Sequence, residues 1–279
     1  MSRSPSSALA WTATVVAVAC HASSMADPAS PATADSDTRQ HYIGFDLSYA
    51  CAERSAKRWE YSLGANIHVA SRPKGFYFDP NYDRHCQQLS TKAYGSKTGY
   101  DRGHLVASEH MTNSVEARHQ AHYMTNIAPQ ISSFNKCQWA KTEAIEACFR
   151  TLPGGVRTWG GVKYNETDND IFVDEWGIRT PDYWWKVVVA KDTATGQDKA
   201  IAWFFPNRPN LGHLDKYLVT VAEIETQMND NLGPVPVSDA LKSIVSPTSW
   251  VMPPTCHHVL NGDSDQDDVT TGHGPTADV

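Results

Sequence analysis

Short runs of apolar, β-branched and aromatic residues recur through the middle of the chain and predict strands at 42–45, 61–63, 67–70, 156–164, 171–173, 183–190 and 200–205. Longer stretches with apolar residues at helical spacing predict helices at 114–124, 135–149 and 213–229. Strands and helices are interspersed without the regular alternation that builds a parallel sheet. The expected fold is therefore α+β, a central, largely antiparallel sheet flanked by helices. No internal repeat and no linker divides the body at 39–261.

The two ends read differently. Arg3 precedes an apolar run at 8–19, which has the length of a signal-peptide core and is too short to span a bilayer. Small residues at Ser24 and Ala26 suit cleavage before Asp27, so 1–26 is expected to be a signal peptide and 27–38 a flexible segment. The competing site, before Cys20, would give a lipoprotein anchor, but it lacks the usual Leu three residues before the cysteine. The expected location is secreted or periplasmic. At the other end, 262–279 carries five Asp and no Lys or Arg, and reads as a solvated acidic tail. Its Asp263, Asp265 and Asp267 resemble the start of a calcium loop. That loop fails because Asp268 stands where Gly is needed and Gly274 where Glu is needed.

Composition changes this picture little. With 279 residues, 41% hydrophobic and 20% charged, the chain is neither a coiled coil nor collagen-like nor mostly disordered. Taken whole, the formal charge of −7 argues against a polyanion-binding protein. However, the acidic tail holds −5 of it and the first 38 residues hold −2, so the body is neutral.

Export makes Cys51, Cys86, Cys137, Cys148 and Cys256 disulfide candidates, with one left over from two bridges. Cys137 and Cys148 should not pair, since eleven helical residues would hold them about 16 Å apart. His119 and His122, at i and i+3, lack a third metal ligand nearby. They read as surface or structural histidines, as do His257 and His258.

The chemistry concentrates between 99 and 143. This segment contains Asp101-Arg102-Gly103-His104, then Thr125-Asn126-Ile127-Ala128-Pro129-Gln130, then Asn135-Lys136-Cys137-Gln138-Trp139 leading to Glu143. Histidine can accept a proton near neutrality, and arginine offers a planar fork for phosphate oxygens. An asparagine oxygen suits a hard cation such as Mg²⁺ that keeps several waters. Taken alone, the first string could be a turn with an internal salt bridge, and the asparagines could be helix caps.

Together the three strings resemble the DNA/RNA non-specific endonucleases of the ββα-metal superfamily, which include endonuclease G and secreted bacterial sugar-non-specific nucleases. The hallmarks are a DRGH string, an SNITPQ-like string and an N-x-G-x-W-x-x-x-E helix. The likeness continues through Arg157-Thr158-Trp159-Gly160-Gly161, the strand 183–189 and the stretch 219–225, so that it covers roughly 40–256.

The resemblance implies a ββα-metal active-site motif within an endonuclease domain at 39–261. It makes His104 the general base, Asn135 the direct Mg²⁺ ligand (Mn²⁺ being a substitute) and Glu143 a ligand through water. Arg102 is implied to hold the scissile phosphate, and Asn126 to orient the site as a member of the catalytic group. Asp101 reads as structural. An α-helix puts Glu143 about 12 Å along the axis from Asn135, too far for both to touch one ion. Three departures stand out. Cys137 replaces the helix Gly, bringing a disulfide beside the metal helix into view. Ala147 stands where relatives carry Arg, with Arg150 as a substitute. The upstream substrate arginine has only Arg72 and Lys74 as candidates. Local cations at Lys57, Arg58, Lys136 and Lys141 add to the substrate-facing charge.

The expected function is hydrolysis of DNA and RNA phosphodiesters with little sequence preference. The alternatives are a nuclease restricted to RNA or single strands, and an inactive nucleic-acid-binding module on the same fold. The retained His104 and Asn135 count against the last.

Overall fold

The computed structural model describes residues 37–92, 94–95, 97–252 and 256. The predicted signal peptide, nearly all of 27–38, His257, His258 and the acidic tail lie outside the described residues. Six strands form one antiparallel sheet in the order β1-β2-β3-β6-β7-β8. They are β1 (Thr38–Tyr42), β2 (Phe45–Ala50), β3 (Ser55–Leu63), β6 (Val156–Lys163), β7 (Tyr183–Lys191) and β8 (Asp198–Pro206). A separate hairpin pairs β4 (Tyr100–His104) with β5 (Ile127–Ile131). The α+β expectation with a largely antiparallel sheet holds.

The interior strand β7, between β6 and the edge strand β8, shows why the sheet is covered on both faces. Its side chains alternate, and both sets are buried. Trp184 and Val188 enter the main core, with Trp59, Phe134, Trp139 and Phe205. Trp185, Val187 and Val189 enter a smaller core closed by Val221 and Ile224 of the Val221–Met228 helix. Two glycines in β6 permit this packing. A Cβ on Gly160 would lie 2.2 Å from the Trp59 ring, and one on Gly161 would lie 2.5 Å from Nε1 of Trp185. The Trp-Gly-Gly sequence thus lets two indoles lie flat on the strand.

Several predicted elements are displaced. The expected strand at 42–45 is a tight turn instead: Tyr42 pairs with Phe45, and Gly44 at φ 89° closes the hairpin between β1 and β2. At 67–70 the chain pairs with no strand: His68 takes the left-handed conformation at φ 48°, and the N–H groups of Val69 and Ala70 both donate to the Thr112 carbonyl at 3.0 Å. At 171–173, Phe172 turns inward and a helical turn begins at Val173–Trp176. The helix expected at 114–124 shortens to Val115–Gln120, capped by the Ser114 hydroxyl. The one expected at 213–229 breaks because Leu218 bridges to Trp203. It resumes at Val221–Met228 behind a capping box of Thr220 and Glu223.

The cysteines form two bridges, Cys51–Cys86 and Cys148–Cys256, and Cys137 remains free and exposed. Among the described residues no disulfide therefore sits at Cys137; the bridge to the helix Ala140–Phe149 lies at its far end, at Cys148. Thiol titration of the denatured, unreduced mature protein should detect one thiol, at Cys137. Reduction should cost about 2–5 kcal/mol per bridge. Three or more thiols before reduction would contradict the pairing.

Candidate active site

The hairpin and the helix that follows carry the predicted catalytic strings. Pairing of Arg102 with Pro129 and of His104 with Ile127 puts these side chains on one face of the hairpin. Asp101, paired with Gln130, and Gly103, paired with Ala128, share the other face. A Cβ at Gly103 would stand 2.5 Å from Cβ of Gln130, so the glycine of the first string makes room for the glutamine of the second.

His104 lies among cations and aromatic rings. Its ring meets that of His122 edge-on at 5.3 Å and lies 5.5 Å from that of Phe76. The Arg102 guanidinium covers the same Phe76 ring at 4.5 Å and donates to the Thr91 carbonyl at 3.2 Å. Burial first, and then His122, Arg72 and Arg102, hold the His104 imidazole well below the usual histidine range. The ring is thus neutral, the state in which it can take a proton. Its Nε2 is buried with no hydrogen-bond partner among the described residues.

His122 was read as surface or structural, and it is a buried structural residue. Its Nδ1–H donates to the Gly75 carbonyl at 3.0 Å, and its Nε2 is 2.9 Å from Oγ of Ser108. Its main-chain carbonyl also accepts from Tyr77, so one residue grips the loop at 71–78 that brings Arg72 and Phe76 to the hairpin. Arg72 comes within electrostatic range of both histidines, while Lys74 is exposed on the same loop.

Asn135 stands where the chain turns from Ser132–Phe134 into a π turn, Asn135–Trp139, followed by Ala140–Phe149. The N–H of Ala140 reaches the carbonyl of Asn135, five residues back. This corrects the expectation of a regular α-helix. Eight α-helical residues would leave Asn135 and Glu143 about 80° out of phase. A wider π turn underwinds the helix and brings them closer to one face, and such turns recur at functional sites. The helix is anchored by Trp139, whose ring meets Trp184 at 5.2 Å, Phe134 at 5.9 Å and Trp59 at 6.1 Å.

Asp101 does more than stabilise a turn. Its carboxylate accepts from Oγ of Ser132 at 2.7 Å and from Nδ2 of Asn135 at 3.0 Å, and it pairs with Lys136 at 3.4 Å. Committing the amide nitrogen to Asp101 turns the amide oxygen, the harder donor, the other way. Burial pushes the Glu143 carboxyl up to about 7, against the pull of the Lys186 ammonium and with the added push of Glu146. A carboxylate so reluctant to ionise alone, and an oriented amide oxygen at the start of the same helical segment, are hard oxygen donors of the kind a divalent cation takes.

Other expected site residues are corrected. Arg150 is buried, donating to the carbonyls of Gly64 at 2.7 Å and His110 at 3.3 Å, so it cannot meet substrate. Asn126 is fully buried and cannot act catalytically by contact. Its Oδ1 accepts from Val106 and its Nδ2 donates to the carbonyls of Val106 and Ala121, which fixes the chain leaving His104. Lys57 pairs with Asp37 at 3.0 Å and Arg58 with Asp230 at 2.6 Å, so much of that cationic cluster is neutralised.

Comparison with known proteins adds a second line of observation. The profile of the family described as DNA/RNA non-specific endonuclease matches residues 23–234. Mitochondrial endonuclease G of Homo sapiens is 26% identical over 151 residues, which is 50% of this chain and 50% of that protein. A nuclease of Nostoc sp. (strain PCC 7120) is 26% identical over 191 residues, 65% of this chain and 68% of that protein. The chain thus spans about half the length of the human relative. A solved structure of EndoG in complex with its inhibitor EndoGI superposes with a TM-score of 0.58 at 19% identity, covering 71% of this chain and 86% of that one. At that identity the likeness concerns the fold alone.

Proposed function

We propose that this chain, which belongs to the DNA/RNA non-specific endonuclease family, is an exported, Mg²⁺-dependent endonuclease that hydrolyses DNA and RNA with little sequence preference. The observations that carry the reading are a cation-flanked His104 held neutral on the hairpin and, on the segment that follows it, an Asn135 oriented by Asp101, in a chain matched to the family over 23–234. Two disulfides suit an oxidising compartment outside the cytoplasm. Among the described residues no helix is long and apolar enough to cross a membrane.

In this mechanism His104 takes the proton from the water that attacks phosphorus. Arg102 holds the scissile phosphate through its fork and stabilises the charge that grows on it, with Arg72 and Lys74 supporting the adjoining backbone. Asn135 would hold the metal directly and Glu143 through water, while Asp101 keeps the Asn135 amide turned. Bound Mg²⁺ supplies charge neutralisation for the leaving oxygen. The test is incubation of mature protein with supercoiled plasmid and with structured RNA, in Mg²⁺ or in EDTA. Both should be cut internally in Mg²⁺ and neither in EDTA; an absence of cleavage in Mg²⁺ would defeat the reading.

A further inference from the structure

Glu109 has no place in the roles above, yet it touches them on two sides. It lies in the turn Ser108–Met111, just past the His104 strand, with its side chain 48% exposed. Its Oε1 is 3.9 Å from Nη1 of Arg72 and also accepts from Nη2 of Arg118. Arg118 is a fixed structural cation, 7% exposed, and donates to the Ala70 carbonyl at 2.7 Å and to Oγ of Ser108 at 3.3 Å. Arg72 is different: its side chain is 34% exposed and its charge reaches His104. The negative field of Glu109 also reaches Glu143. A carboxylate therefore stands between the cation assigned to phosphate and the carboxylate assigned to the metal.

We propose that Glu109 is an affinity-determining residue: its carboxylate occupies Arg72 and must be displaced by a phosphate of the incoming nucleic acid. The inference rests on the reading of Arg72 as a phosphate ligand. Carboxylate and phosphodiester offer the same anionic oxygens to a guanidinium fork, so they compete for one partner. The magnitudes decide how the competition ends. At 3.9 Å and with both side chains partly exposed, the Arg72–Glu109 pair is weak. Release leaves Glu109 still held by Arg118, so no unpaired charge is created. Substrate therefore wins, but with reduced affinity. The salt dependence stays the same, because the released counterions come from the nucleic acid and the same phosphate is neutralised with or without Glu109.

The experiment uses full mature protein carrying His104→Ala, a labelled single-stranded oligonucleotide, constant Mg²⁺ and a series of salt concentrations. Glu109→Gln should tighten binding by about two- to five-fold and leave the slope of log K against log salt unchanged. Glu116→Gln removes the same charge from the exposed side of the helix that carries Arg118, and gives the background from net charge alone. Glu109→Asp keeps the charge but draws the carboxylate back from Arg72; it should also tighten binding, which keeps the test valid if the Gln variant misfolds. Arg72→Gln should weaken binding, and adding Glu109→Gln to it should do no more than Glu116→Gln does. If Glu109→Gln weakens binding, or matches Glu116→Gln in affinity across the salt series, the competition does not exist. If Arg72→Gln binds like its parent, Arg72 is no phosphate ligand, and the inference falls with that assignment.

Discussion

Replacing His104 with alanine should slow phosphodiester cleavage by about 10²–10⁴-fold and leave the fold and metal binding close to those of the parent. The size follows from what the ring contributes. Its burial, together with His122, Arg72 and Arg102, keeps it neutral and so ready to accept a proton, while in the proposed mechanism the metal is held by Asn135. No hydrogen bond to Nε2 would be broken by the change, since that atom has no partner among the described residues. His122 and Phe76 remain held through Gly75 and the Tyr77 backbone, so the wall behind the ring should persist. Single-turnover cleavage of an end-labelled duplex measures the loss, with circular dichroism as the control for folding. A loss of less than about ten-fold would mean that another group takes the proton.

The largest effect on stability should come from the main core. Lys186 projects from β7 and is fully buried, with Nζ 3.2 Å from Oε1 of Glu146 and 4.1 Å above the Trp139 ring. Glu146 is equally buried; it accepts from the Tyr61 hydroxyl at 2.8 Å, and Nδ1 of His110 is 3.1 Å away. Lys186→Met leaves the Glu146 carboxylate without its ammonium partner in the core, and should cost about 3–5 kcal/mol. Lys186→Met combined with Glu146→Leu removes both charges, and should recover most of that loss because the desolvation cost disappears with the pair. Urea unfolding of the two variants separates the cases. Equal destabilisation by both would show that packing, rather than an uncompensated charge, sets the cost.

Much of the site was legible because its chemistry sits in compact strings. Asp101 to His104, Thr125 to Gln130 and Asn135 to Glu143 stand close in sequence, and pairing of β4 with β5 carries the first two together. Strand β7 was equally plain, its run of Trp and Val fitting a strand buried on both faces. β1 and β4 escaped because Thr-Arg-Gln-His-Tyr and Tyr-Asp-Arg-Gly-His carry no apolar alternation. The π turn left no trace in the sequence, since no composition marks an i→i+5 bond. That bond is nevertheless what changes the angle between Asn135 and Glu143. Arg150 was misjudged because position along a helix says nothing about burial; its side chain turns inward to two carbonyls from other parts of the chain. Glu109 carries no spacing signal, and the i, i+3 spacing of His122 with His119 points to no role; both gain meaning only once Arg72, Arg118 and His104 surround them.

The central claim is that His104 moves a proton while Asn135 holds the metal. Titrating Mg²⁺ against cleavage rate for His104→Ala and Asn135→Ala tests it most directly. The Asn135 variant should need more Mg²⁺ and recover part of its rate as the ion is raised. The His104 variant should saturate at the parental Mg²⁺ concentration and stay slow. Rescue of His104→Ala by high Mg²⁺, with no rescue of Asn135→Ala, would reverse the two roles and contradict the mechanism.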